Sequence, residues 1–121
     1  MRSYSLSHLS DAQLDRGLES AARDESIATA WLLAHLAESD SRRRHLPAGH
    51  PSMFEYCVHH LRFSEDAAYK RIRVARAARQ FPVIFRLIAE GRLHLTGALM
   101  LAPHLPSGNA GELFEVATHR T

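Results

Sequence analysis

Serine residues placed three positions before a glutamine or glutamate, or directly before an acidic pair, punctuate this chain and constrain its fold more than any other feature. A serine hydroxyl at that position accepts from a backbone N–H of the first helical turn, one of the donors that a helix start leaves unpaired. Ser10 with Gln13 and Ser52 with Glu55 have the spacing of a reciprocal capping box. Ser64 stands before Glu65 and Asp66, whose charges suit the positive end of a helix dipole. Nothing shows the two-residue alternation with turn glycines that strands require. The expectation is an all-α protein, a single domain over residues 1–121 with about six or seven helices.

The boundaries follow from these signals. A first helix is predicted over 11–23 from Leu14, Leu18 and Ala21 at helical spacing, with Asp24 capping a second over 25–44. In that second helix Ile27, Ala30, Trp31, Leu32, Leu33, Ala34, Leu36 and Ala37 cover most of the circumference, which predicts a central buried helix. Residues 45–51, with two prolines and a glycine, are a connector. A short helix over 53–60, turning Phe54, Cys57, Val58 and Leu61 inward, and a turn over 61–63 lead to the long helix that Ser64 caps and that runs to Gln80. Pro82 fits the first turn of a helix that Gly91 stops, Thr96 opens one that Pro103 ends, and a last helix is predicted over 110–117. Leu95, Leu99, Met100, Leu101 and Phe114 are expected in the core.

A formal charge of +2 hides an uneven distribution. Residues 1–41 carry 3 basic and 7 acidic side chains, residues 42–92 carry 11 and 4, and residues 93–121 carry 1 and 2. A basic middle between acidic flanks points to an anionic partner, most simply nucleic acid. All but one of the cations are arginine, the residue suited to two-pronged contacts with phosphate and guanine, a bias that a GC-rich genome also produces.

The segment 52–79 has helix-turn-helix spacing. At about 100° per residue, Asp66, Tyr69, Lys70, Arg73 and Arg76 fall in one arc of the longer helix, and Ala67, Ala68, Ile72, Ala75 and Ala78 lie opposite. Such a helix can enter a major groove, with Lys and Arg reaching phosphates or guanine and Asp66 accepting from cytosine. Arg62 in the turn would clamp a phosphate, and Arg42, Arg43 and Arg44 would reach the backbone beside the motif. The competing reading is a surface helix whose arginines are solvated or paired with the acidic first helix. Arg71 and Arg79 fall on the buried side, to snorkel past the core edge or to pair with an acid from elsewhere.

The nine histidines show no ligand spacing, and there is no serine elbow, glycine-rich phosphate loop or paired-carboxylate motif, so no catalytic residue, metal or cofactor is expected. One cysteine, Cys57, leaves no internal disulfide and fits a reducing cytoplasm. The opening residues lack a signal-length apolar run and the strongest apolar stretch, 27–37, is too short to span a membrane, so a cytoplasmic chain without a membrane partner is expected.

Several strings occur in order: Leu32-Leu33-Ala34-His35-Leu36-Ala37-Glu38, Arg42-Arg43-Arg44, Phe54-Glu55-Tyr56-Cys57-Val58, Ser64-Glu65-Asp66-Ala67-Ala68-Tyr69-Lys70-Arg71-Ile72, and Glu90-Gly91-Arg92-Leu93-His94-Leu95-Thr96 leading to Leu101-Ala102-Pro103-His104-Leu105. Together they resemble the helical N-terminal region of a bacterial family of HNH endonuclease-like proteins. The resemblance implies a role in DNA engagement or assembly for this region. The family's nuclease, a His-rich ββα metal unit further C-terminal, has no counterpart here, so none of its catalytic residues transfers. Arg62 departs from the family, whose members often have glycine there. The region 91–105 is faintly similar to the surroundings of the helix-turn-helix in ParB-type partition proteins. The expectation is a non-catalytic module that binds double-stranded DNA. The alternative is a protein–protein interaction or homodimerisation module built on the apolar helices.

Overall fold

In a computed structural model that describes residues 4–104, each of the three serines caps a helix. Gln13 N–H donates to Ser10 Oγ over 3.1 Å and Ser10 N–H donates back to Gln13 Oε1 over 2.9 Å, which completes the box. Ser52 accepts from Glu55 N–H and Ser64 from Ala67 N–H, both over 3.1 Å. The second box is only half made, because the Glu55 carboxylate pairs with His59 Nε2 at 2.9 Å. The described residues form five α-helices and no strand.

Helix α1 spans Asp11–Ser41 without interruption. The break expected at Asp24 is absent, and the two helices predicted over 11–23 and 25–44 are one. A capping residue permits a helix start but does not force one. From Leu18 to Ser41 there is no glycine or proline, so a nucleated helix propagates. Only the second half of α1 is buried, through Ala30, Leu33, Leu36 and Ala37. Residues 11–25 are exposed along their whole length. The central position expected for this helix is corrected accordingly: α3 and α4 cover one side of α1, and Trp31 on another side remains 64% exposed.

Helix α2 is short, Met53–Glu55, and continues as a π-helical turn over Tyr56–His60. Leu61 N–H reaches back to the Tyr56 carbonyl and Phe63 N–H to the Cys57 carbonyl, so the turn is wider than an α-helix. The widening shifts the faces. Met53 and Cys57 are buried, Phe54 and Val58 partly so, and Leu61, expected inward, is exposed. Helix α3 spans Glu65–Gln80, α4 Val83–Ala89 and α5 Leu95–Leu101, the last followed by a 3₁₀ turn over Ala102–His104.

Gly91 ends α4 as expected. At φ 72 it lets its own N–H donate to Ile88 O and Arg92 N–H to Leu87 O, the Schellman closure that satisfies two orphan carbonyls. The core is centred on Leu33, Met53, Cys57, Val74 and Ile84. Helix α3 meets α1, α2, α4 and α5, and its buried arc is therefore wider than a single contact needs, taking in Val74 beside Ala68, Ile72, Ala75 and Ala78. Leu101 is buried and Leu95 and Leu99 are partly so, but Met100, expected in the core, is exposed. Phe114 and the helix predicted over 110–117 lie outside the described residues. No helix of the described residues is long and apolar enough to cross a membrane.

Candidate nucleic-acid interface

The sequence of α3 builds its two sides independently. Alanines at 68, 75 and 78 are essentially inaccessible and let α3 approach its neighbours closely, while the opposite arc carries the long polar side chains. Tyr69 and Arg73 stand free on that arc. The Arg73 guanidinium lies 5.9 Å from the centre of the Tyr69 ring, an exposed cation–π pair that holds both side chains outward. Arg62, one residue before the partly buried Phe63, is exposed and has a backbone φ of 62. This is the left-handed region that favours glycine, because an L side chain there crowds the backbone.

Two cations expected on the arc are already engaged. Lys70 Nζ lies 2.9 Å from Asp66 Oδ2 one turn earlier, and the pair is on the surface. Arg76 donates from Nε to Asp40 Oδ2 over 2.8 Å and from Nη2 to Asp40 Oδ1 over 2.9 Å, a two-pronged contact from α3 to the end of α1. These bonds hold the Asp40 carboxyl below its ordinary range, opposed by partial burial and aided by the charges of Arg76, His45 and Arg79. The Arg76 guanidinium is raised in turn, first by the same hydrogen bond. Arg79 also reaches α1, with Nη1 3.3 Å from the Ala37 carbonyl and 3.9 Å from Glu38 Oε1. Arg71 snorkels: its guanidinium lies 5.3 Å from the centre of the Phe63 ring. Its Nε is buried without a partner among the described residues. The rival expectation, arginines paired with the acidic first helix predicted over 11–23, is not what forms: Arg76 pairs with Asp40, beyond that range, and Arg79, expected either to snorkel or to pair with an acid from elsewhere, lies near Glu38.

The three consecutive arginines after α1 differ from one another. Arg42 caps the helix and its Nε bonds Glu38 Oε2 at 2.7 Å, which keeps the Glu38 carboxyl below its ordinary range. Arg43 takes φ 52 and closes a Schellman motif, its N–H donating to Asp40 O and Arg44 N–H to Ser39 O. The side chains of Arg43 and Arg44 are exposed and make no hydrogen bond or ion pair with the described residues. The expected site residues therefore sort into exposed and uncommitted cations (Arg43, Arg44, Arg62 and Arg73 with Tyr69) and committed ones (Arg42, Lys70 with Asp66, and Arg76).

Sequence reasoning missed Asp40 as the anchor of Arg76, since 36 residues separate them and no spacing rule links them. It also missed a cleft of about 470 Å³ between the end of α1, the following loop and α3, lined by Asp40, Arg43, His45, Ser52 and Arg76 among others. No group of three or more His, Cys, Asp or Glu side chains among the described residues is placed to hold a metal.

Compared with known proteins, the chain matches no family model, and no curated protein or solved structure is similar to it. The described residues define an all-α protein that leaves Arg43, Arg44, Arg62 and Arg73 exposed at the end of α1, in the turn before α3 and on α3.

Proposed function

We propose that the chain is a non-catalytic module that binds double-stranded DNA, with α2, the turn 61–64 and α3 used as a helix-turn-helix. The observation that carries the reading is the set of exposed, uncommitted arginines around α3: Arg62 before its start, Arg73 on its outer arc, and Arg43 and Arg44 at the end of α1. Guanidinium groups without internal partners give up little when they meet phosphate or guanine, whereas Lys70 must first leave a carboxylate. The pairing of Tyr69 with Arg73 supplies a pre-arranged contact at low entropic cost. The resemblance of the five ordered strings, 32–38, 42–44, 54–58, 64–72 and 90–96 leading to 101–105, to the helical region of HNH endonuclease-like proteins supports the same reading.

The test is a fluorescence anisotropy titration of random-sequence duplex DNA at three salt concentrations. Binding that weakens steeply with salt is expected, and each lost phosphate contact lowers the slope by about 0.9. Arg73→Ala and Arg62→Ala should each weaken binding and flatten the slope, and Lys70→Ala should do so less. Asp66→Ala should tighten non-specific binding, because it frees Lys70 and removes a negative charge. Affinity and slope unchanged in the Arg73 and Arg62 variants would refute the assignment.

A second reading is favoured by a different observation: Leu14, Leu18, Ile27 and Trp31 of α1 are all exposed. In that reading the chain is an interaction or homodimerisation module and α1 is its contact. Light scattering of the full chain tests its homodimer form, which alone requires a mass above that of one chain in the absence of DNA.

A further inference from the structure

We infer that the cleft between the end of α1, the following loop and α3 is a phosphate-binding site, gripped by Arg43 and Arg76 and walled by His45 and Ser52. Resting on the DNA-binding reading, the phosphate it takes is one of the duplex backbone.

The donor and acceptor inventory of the cleft carries the inference. Its charged lining consists of two guanidinium groups, one imidazole and one carboxylate. The carboxylate is spent, since both Asp40 oxygens accept from Arg76. A guanidinium has five N–H donors, so Arg76 keeps about three after those bonds, and all of those of Arg43 are uncommitted among the described residues. Ser52 Oγ already accepts from Glu55 N–H, which leaves its O–H as a donor. His45 lines the wall but its Nδ1 is inaccessible, so the donors the site offers are those of Arg43, Arg76 and Ser52. Two guanidinium groups against one carboxylate leave the lining a net positive charge and a surplus of donors, which suits an acceptor-only ligand with several oxygens, and a tetrahedral phosphate presents that pattern.

Backbone geometry adds a second argument. Arg43 occupies the position where a Schellman closure prefers glycine, at φ 52, and so carries backbone strain that glycine would relieve. The residue that carries this strained backbone lines the cleft together with Arg76. Asp40 has a role here as well: it fixes the Arg76 plane before any ligand arrives, so less ordering remains to be done on binding.

The strain also provides a clean variant, because Arg43→Gly removes the guanidinium while keeping or raising stability. The full chain would be titrated with inorganic phosphate and, separately, with a random-sequence duplex. Binding would be read by NMR at the Arg Nε–H and His45 ring signals, with sodium chloride at equal ionic strength as the control. Phosphate is expected to move the Arg76 and His45 signals beyond the chloride control. Arg43→Gly is expected to weaken that response at least about fivefold and to lower the duplex salt slope by about 0.9, one phosphate contact, with an unchanged or higher melting temperature. Shifts that chloride reproduces would overturn the site. A duplex affinity and slope unaffected by Arg43→Gly, while Arg73→Ala reduces both, would overturn the site and leave the DNA reading standing. A specific phosphate response in a chain that binds no duplex would uphold the site, assign it to a free phosphate compound, and remove the DNA reading.

Discussion

Two arginines sit where the backbone wants glycine, and the consequence is measurable without knowing the ligand. Arg62 at φ 62 and Arg43 at φ 52 each close a helix end in the left-handed region. Glycine at either position should raise stability by about 0.5 to 1 kcal/mol, the relief of strain less the added entropy of the unfolded chain, and chemical denaturation would read it as a higher midpoint at constant m. A gain in stability accompanied by a loss of DNA affinity would mark both arginines as retained for contact and not for folding. Asp40 gives a pH test with a definite sign. Its folded-state pKa lies below the ordinary 3.8, so the Arg76 contact contributes stability at neutral pH and loses it as pH falls through the folded value. Asp40→Asn should therefore cost about 1 kcal/mol at pH 7, a modest figure because Arg76 is largely exposed, and the gap to the unaltered chain should close in strong acid. Cys57 is fully buried, and burial, then the nearby Asp40 charge, push its thiol above its ordinary range. A thiol reagent should label it only at the rate at which the core opens, and rapid labelling of the native chain would contradict the packing around Met53 and Leu33.

At the scale of the element, local periodicity was legible and tertiary pairing was not. The bounds of α3 and its outward arc follow from a cap, alanine-rich propensity and angular spacing, all confined to 17 consecutive residues, Ser64 to Gln80. The stop at Gly91 is equally local. The fusion into α1 was missed because Asp24 has the chemistry of a cap whether or not the chain turns there. The π-helical turn was missed because residues 53–60 have no composition that separates a five-residue reach from a four-residue one. Arg76 was expected to be free because its partner, Asp40, lies on another helix and becomes its neighbour only once α1 and α3 pack. Trp31 was expected inside because apolar residues all around a helix predict burial only when enough elements exist to surround it, and two do so here. The arm of α1 can itself be tested. Gly17 is exposed within the helix, and an added Cβ would meet nothing within 4 Å. Gly17→Ala should raise the local helix stability by about 0.5 to 1 kcal/mol, visible as slower amide exchange over residues 11–25. The global melting temperature should barely move, since the arm contributes no buried residue to the core.

For the whole molecule, the arrangement separates charge along one rod. Helix α1 is about 46 Å long at 1.5 Å per residue, with an exposed acidic-rich half at its start and the arginines 42–44 just past its end. Asp11 and Asp15 lie at the far end from that basic cluster, and Glu19, nearest of the acids before residue 20, is still about 35 Å from Arg42 along the axis. The Debye length is about 8 Å at physiological ionic strength and about 30 Å at 0.01 M. Under physiological salt Glu19 and the acids before it are thus electrically remote from the arginines at the end of α1, whereas at 0.01 M the separation is about one Debye length and their field is only partly screened. Removing residues 1–20 should leave the melting temperature within a few degrees, because no described residue of that segment is buried in the core. Duplex affinity should stay within about twofold at physiological salt and rise at low salt, where the arm's net negative charge no longer opposes the approach of phosphate. The same truncation separates the two readings of the surface. If Leu14 and Leu18 hold a second copy, the shortened chain loses its dimer mass in light scattering, and the DNA affinity falls with it through lost bivalency. A shortened chain that is monomeric and binds duplex as before would place all of the binding on the end of α1, the turn at Arg62 and the outer arc of α3.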